Sequence, residues 1–151
     1  MVLKYLGIVY VFVKFGLITR QKKRMYVQTI TRIIDNTGGF YAKCIGILTN
    51  SKLGRVGDQV VIAVKSVLLN KKVTHHKKRK VLKGTVRRAV LLKTSWIHKR
   101  WGNCYFKIFS SGVALIGSWD MPVGNRIYGP IYFESRLGKY IKIAMLSEGS
   151  F

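Results

Sequence analysis

From Tyr26 onward, short apolar runs alternate with clusters of Gly, Asn, Asp and Ser. No apolar stripe at helical spacing lasts beyond two turns, so the pattern predicts an all-β fold. The runs place strands over Tyr26–Ile34, Tyr41–Leu48, Gln59–Val67, Thr85–Thr94, Cys104–Phe109, Val113–Ser118 and Tyr140–Leu146. The breaks carry turn chemistry: Asp35-Asn-Thr-Gly-Gly39, Asn50-Ser51, Gly54 and Gly57-Asp58 all tolerate positive φ. Strands this short and this closely spaced favour a small closed barrel, which hides its edges, with a β-sandwich as the alternative. Alternation does not choose between them. In Thr85–Thr94 one face holds Val86, Arg88, Val90 and Leu92 and the other Thr85, Arg87, Ala89, Leu91 and Lys93, so both are mixed. Phe133–Leu137 predicts one helical turn that ends at Gly138.

The first 24 residues read differently. Residues 2–18 are strongly apolar but contain Lys4 and Lys14, and the uncharged run Tyr5–Val13 is too short to cross a bilayer as a helix, so no membrane span is expected. Arg20, Lys22, Lys23 and Arg24 follow, and no acid occurs before Asp35, a bias shared with organelle targeting peptides. The β-branched and aromatic run Ile8–Val13 suits a strand better than a presequence helix. A targeting segment, a retained extension and a stretch upstream of the true start at Met25 all stay open. Residues 1–24 are therefore set apart from a domain over 25–151.

Charge narrows the function. The 151 residues include 28 Lys and Arg against 5 Asp and Glu, a formal net charge of +23, yet 48% are hydrophobic, which is enough to build a core. A folded chain so basic calls for a polyanionic partner. The acids Asp35, Asp58, Asp120, Glu134 and Glu148 lie far apart and form no paired-carboxylate motif. Cys44 and Cys104 have no CxxC partner, and His75, His76 and His98 stand at no finger spacing from them, so no metal site and no cofactor is expected. Both thiols read as reduced core residues.

The densest charge lies in Asn70–Lys83, which holds Lys71, Lys72, Lys77, Lys78, Arg79 and Lys80 and continues through Arg87, Arg88, Lys99 and Arg100. A projecting ribbon laid along phosphates accounts for charge gathered on one stretch; a solvated loop is the plainer alternative. Trp96 and Trp101 fall in an expected loop among these cations and are candidates to stack on bases, whereas Tyr105 and Phe106 are expected in the core.

Several short motifs in order then resemble a known family. Val27-Gln-Thr-Ile30, Asp35-Asn-Thr-Gly38, Cys44-Ile45, Gly57-Asp58 followed by Val60-Val-Ile, and Lys83-Gly84 leading into Ala89-Val-Leu-Leu-Lys-Thr94 are similar to the universal large-subunit ribosomal protein number fourteen, bacterial and organellar type. Pro122-Val-Gly-Asn-Arg-Ile-Tyr-Gly-Pro130, then Glu134, Arg136-Leu137 and Tyr140-Ile-Lys-Ile143, resemble its C-terminal part. Thr85 stands where the family usually has Asp, Phe109-Ser-Ser-Gly112 replaces a turn with Asp or Asn, and Phe40-Tyr41 replaces a basic pair. Such departures, with the longer stretch near His75–Lys80, point to a diverged mitochondrial ribosome. The Lys-, Ile-, Tyr- and Phe-rich composition fits a gene carried within the organelle.

The resemblance implies a five-stranded barrel with a projecting basic ribbon and a short C-terminal lobe of loops and helical turns. It implies a non-enzymatic structural constituent of the large ribosomal subunit that binds large-subunit rRNA. The implied neighbours are large-subunit proteins three and nineteen and small-subunit rRNA across a bridge. It also implies docking of a ribosome silencing factor at Arg126, Lys139 and Lys142, where Asn125 replaces the family's Thr. Composition alone equally supports a free single-stranded nucleic-acid-binding barrel. An RNA-processing enzyme built on Asp58 is the other rival, against which Asp58 sits in a turn and is expected to cap backbone amides.

Overall fold

The computed structural model describes residues 25–49, 53–68, 81–99 and 104–150. Among these residues nine strands occupy Ile30–Ile33 (β1), Gly39–Ile47 (β2), Gln59–Val67 (β3), Val86–Lys93 (β4), Ile97–Lys99 (β5), Tyr105–Lys107 (β6), Gly112–Ile116 (β7), Ile127–Ile131 (β8) and Ser147–Ser150 (β9). Strands β1, β2, β3, β4 and β7 close into a five-stranded barrel. Successive pairs are antiparallel and the closing β1–β7 pair is parallel. Below it, Met25 and Gly54 exchange backbone hydrogen bonds and seal the floor.

The barrel interior is filled by Ile33, Ala42, Cys44, Val60, Ile62, Val64, Ala89, Leu91, Val113 and Leu115, with Met25 and Val81 at its ends. A second core lies outside the wall. Ile34, Val90, Leu92, Ala114 and Ile116 turn outward and meet Ile127, Ile131, Tyr140, Ile143 and Ala144 of the C-terminal lobe. This double burial explains why β4 shows no clean alternation: from Ala89 to Lys93 both of its faces are covered, the pattern of a central strand.

Where the turn residues stand, the backbone uses them. Gly38 and Gly57 adopt φ of +92° and +90°, values that a β-carbon disfavours. Asp58 accepts a hydrogen bond from the Arg55 backbone N–H at 2.7 Å, the expected capping role.

Other elements depart from the sequence pattern. The first strand starts at Ile30, because Gln28 takes a φ of +73° and Thr29 folds its hydroxyl back onto the Tyr26 carbonyl. Tyr140–Leu146 is no strand: Ile141–Ala144 forms a short helix, α1, whose Tyr140, Ile143 and Ala144 face the second core. The helical turn at Phe133–Leu137 is a 3-10 helix, followed by Gly138 at a φ of −103° rather than in the left-handed region. Strands β5, β8 and β9 fall where the pattern predicts none. Two-stranded sheets join β5 to β6 and β8 to β9. Cys44 is buried as expected, whereas Cys104 is exposed.

Candidate nucleic-acid interface

A three-residue strand pair has little stability of its own, so the β5–β6 hairpin depends on its root. Its pairs are Ile97 with Lys107, His98 with Phe106, and Lys99 with Tyr105. The period of two puts His98 and Phe106 on one face and the other four on the opposite face. The first face turns toward the lobe, where the His98 ring lies 3.9 Å from that of Tyr132. Tyr132 is fully buried, and its hydroxyl accepts from the Ile108 N–H at 2.9 Å and reaches the Trp96 carbonyl at 3.0 Å. One phenol therefore holds both legs of the hairpin.

The outer face is left exposed, and it mixes cations with aromatics. The Lys99 ammonium lies 5.5 Å from the centre of the Tyr105 ring, and that of Lys107 lies 5.1 Å from Phe109. Trp96 stands at the root, half exposed. Tyr105, expected in the core, is instead 60% exposed. Sequence reasoning missed Tyr105, Lys107 and Phe109 as surface groups. The signal was present in the alternation around His98 and Phe106, but a lone strand over Cys104–Phe109 gave no partner to fix which face was buried.

Lys71, Lys72, Lys77, Lys78, Arg79, Lys80, Arg100 and Trp101 lie outside the described residues. What is described is where the chain enters and leaves that basic stretch. Leu68 donates its N–H to Gly38 at 2.8 Å, Val81 is buried in the barrel, and Gly84 and Val64 join backbones at 2.8 Å. Lys65, Lys83, Arg87 and Arg88 are all exposed around these points. Arg87 and Arg88 do not act on one plane. As neighbours on β4 they face opposite sides, with Arg88 turned toward the lobe, where its charge reaches Tyr140.

The C-terminal candidates are placed on the lobe. Arg126 pairs with Glu148 at 3.3 Å, and Lys139 pairs with Asp120, which raises the Lys139 pKa through their hydrogen bond. Lys142 is exposed on α1. Nearby, Trp119 is 95% exposed and takes a φ of +59°, with Asp120 at +56°, so the backbone holds this indole outward at a steric cost. No feature of the local sequence pattern singles it out.

Among the described residues no group of three His, Cys, Asp or Glu could hold a metal ion, and no helix is long and apolar enough to cross a membrane. What the surface offers is fixed cations beside exposed rings, a chemistry for phosphates and unpaired bases.

Comparison with known proteins gives the chain its family. A large ribosomal subunit protein uL14m from Acanthamoeba castellanii is 37% identical over 125 residues, covering 81% of this chain and 95% of the relative. A protein of the same name from Acanthamoeba polyphaga is 38% identical over 112 residues, covering 73% and 95%. The family model described as ribosomal protein L14p/L23e matches residues 24–151, so the five-stranded barrel and its lobe belong to a member of the ribosomal protein L14p/L23e family.

Proposed function

We propose that this chain is a large-subunit protein of the mitochondrial ribosome that holds large-subunit rRNA through its basic surface. Membership of the family makes it a structural constituent of the large ribosomal subunit, with no enzymatic role implied. The observation that carries the rRNA reading is the outer face of the β5–β6 hairpin, where Lys99 and Lys107 lie over Tyr105 and Phe109. Such a face neutralises phosphates while its rings stack on bases, and the barrel keeps it in register with folded RNA.

The finer assignments of cations and rings follow from the clustering of charge and aromatics along the chain, and those of neighbours and docking residues from the resemblance. Lys71, Lys72, Lys77, Lys78, Arg79, Lys80, Arg87, Arg88 and Arg100 supply further phosphate contacts, and Trp101 joins Trp96 as a stacking group. Proteins three and nineteen and small-subunit rRNA are the expected neighbours. A silencing factor docking at Arg126, Lys139 and Lys142 needs an acidic surface able to compete with Glu148 and Asp120. Residues 1–24 are an extension outside the domain at 25–151, and the composition fits a gene carried within the mitochondrion.

Sedimentation of a mitochondrial lysate tests the main reading. The chain should travel with the large subunit through a high-salt wash, one copy per particle by mass spectrometry, which also reads its N-terminus. Recovery at the top of the gradient would show a free nucleic-acid-binding barrel instead.

A further inference from the structure

One cross-strand row sets two cations either side of a glycine. Arg32 on β1 registers with Gly112 on β7, and Lys93 on β4 registers with the same Gly112 after a bulge past Leu91. Their α-carbons therefore stand about two strand spacings, roughly 10 Å, apart. The stem of Lys93 lies over the glycine: a methyl group at 112 would come within 2.7 Å of its Cε and 2.9 Å of its Cγ. Its Nζ reaches toward Gly129 of β8, 3.9 Å from where a β-carbon there would sit. The ammonium thus lies at the seam between barrel and lobe, in a residue only 7% exposed.

Among the described residues no carboxylate neutralises this pair. Among the described residues neither Arg32 nor Lys93 forms an ion pair, and Glu148, which takes the Gly129 N–H, is committed to Arg126. The Arg32 guanidinium is held 5.1 Å from the centre of the Phe40 ring. Burial and the Arg32 charge both push the Lys93 pKa down, so the isolated fold is the poorer for that charge. If packing were the only need, an uncharged stem would serve it better. A buried cation registered beside a second cation, with no carboxylate paired to either among the described residues, is an arrangement completed by an anion.

We propose that Lys93 and Arg32, flanking Gly112, form a seat for one backbone phosphate of the large-subunit rRNA. The seat rests on the rRNA-binding reading and adds to it a contact built into the barrel wall. Gly112 makes room for the Lys93 stem, Phe40 orients the guanidinium, and the lobe strand β8 limits access to a narrow group such as a phosphodiester.

The test measures binding of the full chain to a large-subunit rRNA transcript across a salt series. Removing one cation that neutralises a phosphate should reduce the log–log salt slope by about 1. Lys93→Met keeps the packed stem and should show that reduction while the free chain melts at the same temperature or higher. Arg32→Gln, at an exposed position that cannot upset the core, should show a similar reduction and decides the matter if Lys93→Met does not fold. Unchanged slopes in variants of a wild type that itself binds would overturn the seat alone, as would normal slopes with failed incorporation into particles, the mark of a protein carboxylate. A wild type with no salt-dependent binding would overturn the rRNA reading itself.

Discussion

The carboxylate of Asp35 accepts a hydrogen bond from the backbone N–H of Leu115 at 2.8 Å, joining residues 80 positions apart. Its other oxygen takes the N–H of Thr37 at 3.1 Å and the Thr37 hydroxyl. The next residue continues the junction, since Asn36 Oδ1 accepts from the Asn125 N–H at 2.8 Å. One turn thus ties β1 to β7 and to the approach to β8, and Gly124 keeps the space clear, because a β-carbon there would come within 2.7 Å of Asn36 Oδ1.

Asp35→Ala should destabilise the fold strongly, because it strands buried N–H groups at about 1–3 kcal/mol each. Asp35→Asn keeps one acceptor and should cost less. Urea unfolding of the full chain measures both, and equal loss in the two variants would show that the charge, not the acceptor geometry, matters.

Tyr132→Phe removes only the hydroxyl, which serves Ile108, Trp96 and, at 3.3 Å, the Thr94 carbonyl. Hydrogen exchange at Ile97–Lys99 and Tyr105–Lys107 should accelerate by roughly fivefold, for about 1 kcal/mol of lost anchoring, while the barrel amides hold their protection. Uniform acceleration across β2 and β3 would mean that the phenol supports the whole fold.

How far the letters disclosed this molecule depends on whether a residue's environment is local. Gln59–Val67 coincides with β3 to the residue, because one face lines the barrel and the flanking turns are chemically distinct. Tyr140–Leu146 misled because its β-branched and aromatic content resembles a strand, although Tyr140, Ile143 and Ala144 sit at helical spacing and the lobe selects that stripe. The hairpin face and the Arg32–Gly112–Lys93 row depend on strand register, which pairs residues far apart in sequence, and no single run of letters reveals it.

Leu91 and Leu92 offer a separation of the two cores. Both are fully buried, Leu91 inside the barrel and Leu92 beneath the lobe, where its carbonyl also accepts from Ser135. Replacing either with Ala should cost about 2–5 kcal/mol in transfer and cavity terms. The consequences should differ in place: Leu92→Ala should make α1 and β8 more susceptible to limited proteolysis, whereas Leu91→Ala should lower the cooperative melting of the whole. Identical cleavage patterns in the two variants would contradict the division.

The two cysteines should separate chemically and in their effect on pH dependence. Cys104 is exposed and should react with a thiol reagent in the folded chain, while Cys44, 1% exposed inside the barrel, should react only on unfolding. Burial pushes the Cys44 thiol above its ordinary value of 9.0. The native state therefore keeps this proton at a pH where the unfolded chain has released it. The contribution to stability is full below the unfolded pKa and declines as pH rises from there through the native value. Lys93, whose pKa is lowered, acts in the opposite direction and adds stability as pH rises toward the unfolded lysine value. A Cys44→Ala comparison isolates the thiol, since Lys93 is common to both chains. The stability advantage of the parent over Cys44→Ala, followed by urea midpoint from pH 8 to 10.5, should shrink steadily above about pH 9. A constant difference would mean that Cys44 meets water in the native barrel.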